Sequence, residues 1–82
     1  MTKLHEAIAL VDMIENDFAS PTNVKEKMKE IKKILQDKSV DIGIRANRCL
    51  NILEALDEDP NIEPFTRTNL WNLVSMLENL EE

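Results

Sequence analysis

Covalent or metal chemistry in this 82-residue chain would have to start from one histidine, His5, and one cysteine, Cys49. A structural zinc site needs three or four ligands at set spacing, and the chain offers no HExxH, no paired histidine and no CxxC. A single cysteine also rules out an internal disulfide. Cys49 falls among apolar residues, where a thiol acts as a small hydrophobe and stays unreactive. Asp57, Glu58, Asp59 and Glu63 gather four carboxylates within seven residues. A calcium loop, however, wants alternating oxygen ligands, a glycine at the turn and a closing glutamate. That stretch reads instead as a solvated turn. Thr66, Thr68 and Ser75 carry hydroxyls with no base in reach to activate them. The expectation is a non-enzyme that uses no metal and no cofactor.

Two surfaces remain that could bind rather than react. Lys25, Lys29, Lys32 and Lys33 gather on one face of a helical pattern, with Arg45 and Arg48 on the next segment. Such a face is a candidate for RNA or a ribonucleoprotein. Against it, nucleic-acid modules are usually basic overall and carry aromatic stacking platforms. Here the net charge is −6 and only three residues are aromatic. The other surface centres on Trp71, which on a helical wheel falls outside its segment's apolar arc, beside Arg67, Ser75 and Glu78. Tryptophan is enriched at interface hot spots, and Arg67, four residues earlier, is spaced to stack on the indole face. Met13 and Ile44 also fall off their arcs and extend the candidate partner surface.

These residues must be positioned by helices, because apolar residues recur at three- and four-residue spacing all along the chain. The first segment, residues 2–17, aligns Leu4, Ala7, Ile8, Leu10, Val11, Ile14 and Phe18, with Thr2 as a cap. Ser20 and Pro21 then read as the N-cap and first residue of the second segment, residues 21–36. There Val24, Met28, Ile31 and Leu35 form a narrow stripe widened by Ile34. The third segment, residues 40–56, has a broad arc, including Ala46, Cys49, Leu53 and Leu56, and reads as the most hydrophobic helix, which predicts a central place. Gly43 costs about 1 kcal/mol inside a helix and moves the expected start toward Ile44. The fourth, residues 64–80, aligns Phe65, Leu70, Leu73, Val74, Met76, Leu77 and Leu80, and Glu81-Glu82 form an acidic tail at the negative end of its dipole.

Composition narrows the class further. One glycine, three prolines and no tyrosine leave little material for an all-β fold. No apolar run approaches the roughly 18 residues of a membrane span, and no signal-peptide pattern opens the chain, so a cytoplasmic location is expected. Charge is unevenly spread. Residues 24–48 carry eight basic and four acidic side chains, whereas residues 49–82 set one arginine against eight carboxylates. The fold expected is all-α, a single-domain antiparallel four-helix bundle over residues 1–82. The second choice is two stacked HEAT-like helical hairpins, suggested by Ile44-Arg45-Ala46 followed by Leu50 and Leu53.

From Arg45 onward the sequence also carries a recognisable string. Arg45-Ala46, Ile52-Leu53, Asp59-Pro60-Asn61 and Pro64 lead into Thr66-Arg67-Thr68, Trp71-Asn72, Val74-Ser75 and Leu77-Glu78. In these residues the chain resembles uncharacterised protein family 0147, small archaeal proteins of unknown function. The resemblance implies a four-helix bundle of archaeal type and carries over no catalytic residue. The leading functional expectation is therefore a protein-interaction module that docks or self-associates through Arg67, Trp71, Ser75 and Glu78. The alternative is an accessory RNA or ribonucleoprotein binder using Lys25, Lys29, Lys32 and Lys33.

Overall fold

A computed structural model describes residues 3–80. It contains four helices, α1 (Lys3–Glu15), α2 (Thr22–Leu35), α3 (Ile42–Asp57) and α4 (Pro64–Glu78), and no strand among the described residues. Each helix packs against its neighbours in the chain, and α4 closes back on α1, while α1 does not pack on α3 nor α2 on α4. That closed ring is the four-helix bundle. Stacked hairpins would instead leave α1 and α4 apart. In a ring no helix is central, so α3 does not hold the privileged place its broad arc suggests. The connections at 16–21, 36–41 and 58–63 are each six residues long, short enough to make consecutive helices antiparallel.

The apolar stripes meet on the axis of the ring. Val11 and Ile14, Val24, Met28, Ile31 and Leu35, Cys49 and Leu53, and Leu73 and Leu77 are all at most 2% exposed. Two aromatics assigned to the arcs from sequence are not in this core. Phe18 is fully exposed, because α1 ends at Glu15 and the wheel no longer applies three residues later. Phe65 is 61% exposed, because the core-facing side of the first turn of α4 is occupied by its neighbour Thr66, which is 1% exposed. Helix ends differ too. Ser20 does not cap α2. Its hydroxyl turns back to donate to the Ile14 carbonyl at 2.8 Å, and Pro21 is the N-cap residue. At α3, Asp41 caps by accepting from the Gly43 N–H at 3.1 Å, which puts Gly43 in the first turn rather than ahead of the helix. The expected Thr2 cap and the Glu81-Glu82 tail lie outside the described residues.

All three corners are built alike. The second loop residue is Asp17, Asp37 or Asp59, and its Oδ1 accepts the backbone N–H two residues on, from Ala19 (2.9 Å), Ser39 (3.1 Å) and Asn61 (2.9 Å). These are Asx turns. The fifth loop residue points inward: Ser20 and Ile62 are buried and Val40 half-buried. Eight residues after each aspartate, at the fourth position of the next helix, stands a cation: Lys25, Arg45 or Arg67. Arg45 donates to the carbonyls of Val40 (2.7 Å) and Leu35 (2.8 Å). Arg67 does the same for Asp57 (2.7 Å) and Asp59 (2.6 Å). Through the Leu35 and Asp57 carbonyls, each arginine thus places positive charge at the last residue of the preceding helix, where the dipole is negative.

Candidate functional site

The third corner and the α3–α4 seam form the most developed surface. Trp71, in the middle of α4, is 55% exposed, yet its ring is not loose. The indole Nε1 donates to Asp57 Oδ1 at 3.0 Å, and Arg67 Nη1 donates to the same oxygen at 2.9 Å. Arg67 and Trp71 are therefore joined through Asp57, with the guanidinium committed to the corner's carbonyls. From this anchor a groove of about 310 Å³ runs between the helices. Leu50, Leu53, Leu70 and Val74 make it apolar, and Glu54, Asp57, Glu78 and the Trp71 ring stand around it.

The four residues grouped on the wheel are thus divided by the fold. Trp71 and Glu78 line the groove, and Arg67 closes the corner beside it. Ser75 faces the other way, into a cleft toward α1 with Lys3, Glu6, Met76 and Asn79. Asp57 is the member that sequence reasoning missed, since it was read only as part of an acidic turn. Its pairing with Trp71 spans fourteen residues and leaves no periodic signal.

The lysine face is only partly available. Lys32 crosses from α2 to α1, where it pairs with Asp12 and, at 3.4 Å, with Glu15. The Asp12 bond is the main reason that its ammonium holds its proton above the usual lysine range. Arg45 is drawn into the second corner, and Arg48 lines the far stretch of the α3–α4 seam. Lys25, Lys29 and Lys33 remain as a stripe along α2.

Several groups that could react are engaged or shielded, whereas His5 stands exposed on α1. The Cys49 thiol is buried, with Ile31 O at 3.8 Å, and burial first, then the charge of Glu30, pushes it up to about 12. It is protonated and unreactive at neutral pH. Asp59 accepts from the Asn61 backbone and from Asn23 Nδ2 at 2.9 Å, and both hold its carboxyl below the ordinary range. Thr68 donates to the Pro64 carbonyl at 3.0 Å. Thr66 is 1% exposed, and its hydroxyl has no partner among the described residues. Among those residues no three His, Cys, Asp or Glu side chains converge as metal ligands. No helix among them is long and apolar enough to cross a membrane.

The family model described as "Uncharacterised protein family (UPF0147)" matches residues 1–80. The chain is 36% identical over 80 residues to a UPF0147 protein of Sulfurisphaera tokodaii, covering 98% of this chain and 90% of that one. It is 35% identical over 77 residues to one of Methanosarcina acetivorans, covering 94% and 79%. Both are archaeal. A crystal structure of a protein from this family in Thermoplasma acidophilum superposes with a TM-score of 0.92 at 28% identity, covering 96% of this chain and 93% of that one. A second crystal structure, of a protein of unknown function, gives 0.91 at 28% identity, with 98% and 91% covered.

Proposed function

We propose, from the premise that this chain belongs to the uncharacterised protein family UPF0147, that it is a non-catalytic module that docks on another protein through the α4 edge bearing Trp71. The observation that carries this reading is the state of Trp71 itself. A ring left half in solvent, yet fixed by a hydrogen bond to Asp57, is an anchor whose ordering cost is met before a partner arrives. Glu78 in the groove and the Arg67 corner flank it. A non-catalytic role is supported by the state of Cys49 and of two carboxylates. The thiol is protonated in the core, and the carboxylates of Asp57 and Asp59 are engaged in the third corner.

The test is affinity capture from native extract with and without nuclease, comparing the parent protein with Trp71→Ala and Trp71→Phe. Loss of specific protein partners in Trp71→Ala, with its circular dichroism and melting close to the parent, supports the reading. An unchanged set of partners defeats it, as does a Trp71→Ala variant that unfolds and so marks the ring as structural. Partners that disappear with nuclease, and with Lys25, Lys29 and Lys33 changed to Gln, would favour the RNA alternative instead.

A further inference from the structure

The groove beside Trp71 does not stop at Asp57 and Glu78. It shares Leu50 and Glu78 with a shallower stretch of about 660 Å³ that continues past Arg48 to Ile44 and Leu80. On α3 the two stretches together extend from Asp57 back to Ile44, which at 1.5 Å per residue is about 20 Å, or nearly four helical turns. A trough of that length between two antiparallel helices, apolar beside Trp71 and mixed around Asn47 and Arg48, matches the helix-in-groove mode of recognition, in which a partner inserts side chains at i, i+3, i+4 and i+7.

The chemistry of the walls selects the occupant. Glu54 on one side and Glu78 on the other stand exposed over the apolar floor. Neither has an ion pair among the described residues, whereas the nearby Arg67 is neutralised by Asp57. Of the side chains lining the two stretches, Glu54, Asp57 and Glu78 are acidic and Arg48 is basic. A second copy docked through this face would bring only Arg48 as a cation to those carboxylates, and a nucleic acid would be repelled by them. Resting on the docking reading above, we infer that the α3–α4 groove receives an amphipathic helix with a basic flank, contributed by another protein. Its apolar side chains lie against Leu50 and Val74, over a floor made by the buried Leu53 and Leu70, one of them against the fixed Trp71 ring. Its lysines or arginines meet Glu54 and Glu78.

Three synthetic helices of about fourteen residues test this on the intact protein: a Leu/Lys amphipathic peptide, a Leu/Glu peptide of the same pattern, and a Gln/Lys peptide with the charge but no apolar face. Binding is followed by titration calorimetry, and the site by backbone amide shifts. The Leu/Lys peptide is expected to bind one to one, with shifts confined to α3 and α4, and to weaken as salt rises. Trp71→Ala should reduce its affinity about thirtyfold, the scale of an interface hot spot. Glu54→Gln with Glu78→Gln, on exposed positions that the fold does not use, should reduce it about threefold. Equal binding of the Gln/Lys or Leu/Glu peptide, shifts on other helices, no binding at all, or self-association through these residues would each overturn the inference. If the Leu/Lys peptide fails but Trp71→Ala still abolishes capture from extract, docking stands and only the occupant is wrong. If the peptide binds while capture ignores Trp71, the broader reading fails and the groove's preference survives.

Discussion

Replacing Arg67 by methionine keeps most of the hydrophobic stem and removes the charge, so it isolates what the guanidinium does at the third corner. The guanidinium donates to two backbone carbonyls, Asp57 at 2.7 Å and Asp59 at 2.6 Å, and to Asp57 Oδ1 at 2.9 Å. The arginine side chain is 22% exposed and the Asp57 side chain 54%. A hydrogen bond to a charged group contributes about 1.5–3 kcal/mol, whereas an ion pair this open to solvent contributes about 0–1 kcal/mol. Most of the effect therefore lies with the carbonyls, which lose their charged donor at the negative end of α3. Arg67→Met should cost about 2–3 kcal/mol, discounting for partial exposure. Asp57→Asn, which keeps an acceptor oxygen, should cost under about 1 kcal/mol. Urea titration followed by far-ultraviolet circular dichroism reads both. For a domain this small the slope is about 1 kcal/mol per molar urea, so the Arg67→Met midpoint should fall by about 2 M. An Arg67→Met midpoint within half a molar of the parent would refute the reasoning, as would an Asp57→Asn loss of equal size.

Two further perturbations probe the fold. Thr66→Val replaces a buried hydroxyl that has no partner among the described residues with a methyl of nearly the same shape. It should stabilise the bundle by about 1 kcal/mol, and a lower thermal midpoint would show that the hydroxyl is satisfied after all. Acid should loosen two corners together. Asp37 is held below its ordinary value of 3.8, chiefly by the Ser39 hydroxyl, and Asp59 likewise, chiefly by the Asn61 N–H. A depressed carboxyl stabilises the fold fully above its ordinary value and loses that contribution as pH falls through the depressed one. The urea midpoint should therefore be insensitive to these groups near neutrality and decline below about pH 4. The Asp37→Asn, Asp59→Asn double variant should decline less steeply, and an acid limb as steep as the parent's would disprove the assignment.

The helices were legible because their apolar stripes are narrow and regular. Val24, Met28, Ile31 and Leu35 all prove fully buried. Periodicity says nothing beyond a helix's last turn, which is why Phe18, aligned with α1 on the wheel, stands wholly in solvent. Ser20 had the right type and place for an N-cap, but its hydroxyl found a buried carbonyl behind it instead. Trp71 was legible as an off-arc aromatic. Its anchor Asp57 was not, because the bond joins two helices whose relative rotation no local pattern encodes. The corners hid for a different reason. Aspartates at 17, 37 and 59 and cations at 25, 45 and 67 form a visible register, but only to an eye comparing the three loops with one another.

That shared register bears on how the chain reaches its shape. Each bend is closed by groups at most ten residues apart, and the aspartate supplying the bend belongs to the segment being bent. The Asx turns and arginine clamps need no distant segment of chain, so any of the three hairpins is able to nucleate, and the long excursions left among the described residues are the Asn23–Asp59 bond and the meeting of the first helix with the last. Low contact order of this kind belongs to molecules that fold within microseconds to milliseconds.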